Sequence, residues 1–159
     1  MATGIRYSVP DNRFIGHLIL TPILTSLVFF ALGAMYWAIH PILVMLFPAA
    51  QDGLDEAIAI LPILMFIAGI SPILGAPQYL LFGGAALWLH LQTHPIRPWA
   101  CAAILFVINC AVTSVIFLFG YTEFGPLCLM FGSFFAPLWG FVFALLYRRS
   151  VRREAKVAR

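Results

Sequence analysis

Apolar residues run along this chain in four long blocks, without the strict alternation of a half-buried strand. After a polar start carrying Arg6, Asp11 and Arg13, the blocks cover 14–47, 57–92, 99–120 and 126–147. Short polar connections at 48–56, 93–98 and 121–125 separate them. About 20 consecutive apolar residues suffice to cross the ~30 Å hydrocarbon core of a bilayer. The pattern therefore predicts an all-α integral membrane protein, a bundle of four transmembrane helices within a single domain, 1–159. The expected spans are about 17–39, 57–92, 99–120 and 126–147, followed by a basic tail at 148–159.

Two of the blocks fit the bilayer and two exceed it. The third and fourth, as helices, reach about 33 Å each. The first block is too long for one span, and for the roughly 7–15-residue core of a signal peptide, so it reads as an uncleaved signal-anchor. His40-Pro41 divides it into a spanning helix over 17–39 and a short apolar segment lying at the outer surface. The second block would reach about 54 Å as one straight helix. Pro62, Pro72 and Pro77 interrupt it, each removing a backbone donor and crowding the preceding turn. Two arrangements stay open for 57–92: one tilted, kinked helix, or a span followed by a half-helix. Pro72, Gly75, Pro77, Gly83 and Gly84 mark the candidate hinge or pore-lining stretch.

Composition narrows the class further. The 159 residues are 63% hydrophobic and 9% charged, and the mean hydropathy is +1.00. Soluble domains carry roughly 25% charged residues, so soluble globular, disordered and collagen-like classes are excluded. The few charges are sorted. With four spans, all nine Lys and Arg side chains share the side of the two termini, whereas Asp52, Asp55, Glu56 and Glu123 occupy the opposite loops. The positive-inside rule then places both termini in the cytoplasm and the protein in the inner membrane. Tyr36 and Trp37 are expected at the outer interface, and Trp88, Trp99 and Tyr147 at the inner one.

Small and polar residues indicate how the helices associate. Gly132, Ala136, Gly140 and Ala144 recur at every fourth position, forming a groove that another helix backbone can approach closely. Asn109, in the middle of the third block, and Gln78, just after Pro77, are amides that need hydrogen-bond partners in hydrocarbon. No acidic or basic residue lies deep in a span, which argues against ion-coupled transport.

Candidate chemistry is sparse. His17, His90 and His94 fall near one membrane level, and His90 and His94 share a helix face if the helix reaches that far. Such imidazoles can hold a divalent metal, and His17 with His90 can hold a haem. Interfacial histidines with solvated rings are the ordinary reading, so no metal or cofactor is assigned. Cys101, Cys110 and Cys128 stand in apolar runs without metal or redox spacing and read as small hydrophobes. No catalytic triad, phosphate loop or HExxH motif is present, so no catalytic residue and no enzyme activity are expected. Asp52, Asp55 and Glu56 suit a helix start, where Asp52 can act as a cap.

Arg148, Arg149, Arg152, Arg153 and Lys156 form a lipid-surface patch, expected to continue as a helix along the inner leaflet. A tail this short and tied to a membrane does not suit nucleic acid. The expected function is association, with itself or with another membrane protein, as in accessory subunits or toxin-immunity proteins. An oligomeric channel or transporter for a small solute is the alternative.

Overall fold

A computed structural model describes residues 12–119 and 125–157. Helical turns make up 95% of it, and no strand occurs among the described residues. Helix α1 covers Asn12–Leu46, α2 Gln51–Gln78, α3 Gly84–Thr93, α4 Pro98–Leu118 and α5 Gly125–Val157. A 3-10 turn, Pro48–Ala50, joins α1 to α2, and a π-helical turn, Tyr79–Gly83, joins α2 to α3. Among the described residues, three stretches are long and apolar enough to cross a membrane: Asn12–Leu46, Pro48–Ile73 and Pro98–Leu118. The fourth apolar block forms the greater part of α5.

Proline breaks fewer helices than the sequence leads one to expect. α1 runs without interruption through Pro22 and Pro41, so there is no separate surface segment after Ile39. Around Pro22 two hydroxyls bond carbonyls of their own helix: Thr21 Oγ1 donates to His17 O at 2.6 Å, and Thr25 Oγ1 donates to Thr21 O at 2.7 Å and Pro22 O at 2.9 Å. The second block is also continuous. From Gln51 to Thr93 the backbone stays helical, and the residues flanking the π-turn keep right-handed helical angles. A continuous helical path, not a span plus a detached half-helix, is the one observed.

The basic tail continues α5 as helix without a break to Val157. No Gly or Pro lies between Tyr147 and Val157, so nothing there stops the helix. Asp52 stands inside the first turn of α2, not at its cap. Asp55 instead meets His40 Nε2 at 3.1 Å, and Tyr36 donates to Leu54 O at 3.3 Å, closing the α1–α2 hairpin at its tip.

Packing is concentrated at the end of the molecule where α1 begins and α5 ends. There Phe14, Leu18, Leu87, Leu91, Cys101, Leu105, Phe143 and Tyr147 form the core, together with Tyr79, Phe135 and Trp139 nearer the middle. Tyr147 is 1% exposed, stacked on Phe143 at 5.6 Å and edge-on to Phe14 at 5.9 Å, so it belongs to the core and not to an interfacial belt. Trp99 and Trp37, in contrast, are exposed. The other end is open: no residue from Ala34 to Ile67 is buried.

One hydrogen bond ties the two arms of the hairpin at depth, from Ser26 Oγ to Ala68 O at 2.7 Å. The same carbonyl accepts from Ser71 Oγ at 2.9 Å. Ser26→Ala leaves that carbonyl satisfied, so a loss of only about 0.5–1 kcal/mol is expected in denaturant titration of micelle-solubilised protein. A loss above about 2 kcal/mol would contradict this arrangement.

Candidate functional site

The π-turn lies just beyond two prolines. Pro72 and Pro77 leave the carbonyls four residues earlier without their usual donors, and Ser26 and Ser71 supply donors to the first of these, Ala68 O. π-turns of this kind occur disproportionately at functional sites. Gln78 and Tyr79 stand at its entrance, and Gly83 and Gly84 at its exit, where they pack on Leu105 and Leu18. Gly75, one turn earlier, lies against the Trp139 ring. Pro72 is half-buried and Pro77 exposed.

The two amides singled out by the sequence meet. Gln78 Nε2 donates to Asn109 Oδ1 at 2.9 Å, joining the end of α2 to the middle of α4. Asn109 is 3% exposed, and Gly132 of α5 lies directly on its carboxamide, where a Cβ would overlap it. The first residue of the small-residue ladder thus serves the amide pair. The rest of the ladder also faces α4. A Cβ on Gly140 would come 2.5 Å from Cys101 O and 3.0 Å from Ala102 Cα. Ala144 is fully buried and Ala136 half-buried. The groove is filled within the chain, so an association face has to lie elsewhere.

Around this amide pair lie further buried donors. Asn109 Nδ2, Thr113 Oγ1 and Trp139 Nε1 have no hydrogen-bond partner. The Tyr79 hydroxyl, turned toward Thr21, forms no hydrogen bond of standard geometry either. The Tyr79 and Trp139 rings meet edge to face at 5.1 Å. Each buried polar group without a partner costs about 1–3 kcal/mol. Buried polar groups of this kind are commonly satisfied by bound water. No carboxylate or lysine stands among them, so they offer no strong general base. Tyr79 and Trp139 escape a reading of the sequence because isolated aromatics in apolar runs look like lipid-facing or core residues. The only available signal is that Tyr79 follows Gln78.

The histidines do not converge. His17 Nδ1 donates to Arg13 O at 2.7 Å, and its ring lies edge-on to Tyr147 at 6.0 Å. α3 ends at Thr93, so His94 has an extended backbone and shares no helix face with His90. Their rings nevertheless stack in parallel at 4.8 Å. Among the described residues, no three His, Cys, Asp or Glu side chains come together to hold a metal ion. Cys101 is buried and Cys110 half-buried; the side chain of Cys128 lies outside the described residues. Arg148, Arg149, Arg152 and Arg153 are exposed on the last turns of α5, and the Lys156 side chain lies outside the described residues.

No protein-family model, curated protein or solved structure matches the chain.

Proposed function

We propose that this chain is a four-span protein of the inner membrane, with both termini cytoplasmic, acting without catalysis of its own through association with a membrane partner or a second copy. The observation that carries this reading is the unburied α1–α2 hairpin. α1 has 35 residues, about 52 Å of helix against a hydrocarbon core of ~30 Å. Even a 40° tilt, the upper end of the usual range, leaves about 10 Å outside the core. The residues at the C-terminal end of α1 and just after it are apolar and uncovered within the chain: Ile42 is 58% exposed, Met45 83% and Phe47 59%. Lipid covers such side chains only within the core, so a protein partner is the natural cover for the remainder.

Met45→Cys crosslinking in native membranes tests the proposal, with the three native cysteines replaced. The expected result is a crosslinked species containing this chain, lost when the exposed tip residues become polar. Recovery of monomer alone would sink it.

A second reading is favoured by the buried donors at the π-turn: a path or holding site for a small polar solute. Cysteine substitution across 71–84, probed with a membrane-impermeant thiol reagent, separates the two readings. Reaction at positions facing Tyr79 and Trp139 supports a path, and no reaction anywhere excludes an aqueous one.

A further inference from the structure

The start of α1 and the end of α5 flank an open groove of about 530 Å³, lined by Arg13, His17, Leu146, Arg149, Ser150 and Arg153. Arg149 and Arg153 stand one turn apart on one face of α5, an arrangement of like charges that weakens a helix unless an anion offsets it. Arg148 and Arg152 are equally exposed but outside the lining, so the basic residues of α5 are divided between two faces. The opposite wall is held in place. The His17 ring is fixed by its bond to Arg13 O and by Tyr147, itself buried against Phe143. Among the described residues no carboxylate lines the groove.

The chemistry of this lining is that of a phosphate site. Guanidinium groups offer planar donor pairs matched to phosphate oxygens, and the Ser150 hydroxyl adds a neutral donor. Inorganic phosphate and a phospholipid headgroup share that recognition. The apolar part of the lining distinguishes them. Leu146 is the apolar member of the lining, and one turn further into each helix follow Val142, half-buried, and Leu20, exposed. Acyl chains can lie along these side chains, whereas free phosphate makes no use of them.

We propose that the groove between the ends of α1 and α5 is a binding site for the phosphate of an anionic phospholipid, with its acyl chains along Leu146, Val142 and Leu20. This differs from general attraction of a basic tail to an anionic surface, in which Arg148 and Arg152 would contribute as much as Arg149 and Arg153.

Native mass spectrometry of the full chain in neutral detergent, with added dioleoyl-phosphatidylglycerol or dioleoyl-phosphatidylcholine, tests the site. The wild type is expected to retain the anionic lipid preferentially. R149Q/R153Q should weaken that retention about ten- to thirtyfold, and R148Q/R152Q by less than about threefold. Arg149→Lys keeps the charge without the planar fork and should give an intermediate loss, with circular dichroism confirming that each variant is folded. Inorganic phosphate in large excess should leave the lipid bound. Equal losses from the two arginine pairs, unchanged retention in R149Q/R153Q, or displacement by inorganic phosphate would each overturn the assignment.

Discussion

Gly140→Leu is expected to abolish the native packing of α4 on α5. A Cβ at this position meets Cys101 O at 2.5 Å, the Cys101 carbonyl carbon at 2.8 Å and Ala102 Cα at 3.0 Å, all of them backbone atoms. A flexible side chain can swing aside, but the backbone of a packed helix can yield only if the whole helix moves. Overpacking a close-fitted interior typically costs about 1–3 kcal/mol, and a leucine against backbone falls at or above the upper end of that range. Gly140→Ala should already destabilise measurably.

Gly33→Ala supplies the contrast. Its Cβ would meet only Met65 Sδ, at 2.7 Å, and neighbouring atoms of that flexible side chain. The higher helix propensity of alanine offsets much of that cost, so a near-neutral result is expected. Denaturant titration in micelles, followed by far-ultraviolet circular dichroism, compares the three variants. Wild-type stability in Gly140→Ala would contradict the close approach of α4 and α5.

The amide pair should show energetic coupling. Asn109→Ala removes the acceptor of the Gln78 bond, leaves the Gln78 amide without its partner and opens space beside Gly132. A loss of about 1–3 kcal/mol is expected. Gln78→Ala, half-buried at the end of α2, should cost less. The double variant isolates the interaction, because the partners left orphaned in each single variant are then both absent. Side-chain hydrogen bonds within membranes have couplings near 0.6 kcal/mol and up to about 1.7 kcal/mol. A value in that range is expected here, and strict additivity would mean that the bond contributes nothing to the fold.

Much of the site was legible along the chain because its residues are anomalous there. An amide in hydrocarbon stands out wherever it occurs, and Gln78 and Asn109 find each other across α2 and α4. The glycine–alanine spacing on α5 likewise announced a close helix contact, and α4 makes it. What occupies that groove was not legible, because a ladder of small residues looks the same whether its partner belongs to the same chain or another. His90 and His94 show the limit of periodicity arguments. Spacing by four places two side chains on one face only while the helix lasts, and it ends at Thr93. Pro41 shows the reverse error, a residue that commonly ends helices in water but is carried inside α1.

From its sequence alone, the chain reads as helical, strongly apolar and poor in charge, with blocks long enough to cross a membrane. These properties follow from counts, block lengths and residue types, which do not depend on how the helices are arranged. The tertiary structure decided that the small-residue groove is used internally, that the second block passes through a π-turn without being broken, and that the core lies at one end. It also decided that Arg149 and Arg153 face His17 across an open groove while Arg148 and Arg152 lie outside it. In hydrocarbon every helix face is apolar, so hydrophobic pattern, which orients helices in water, carries no information about which face meets which.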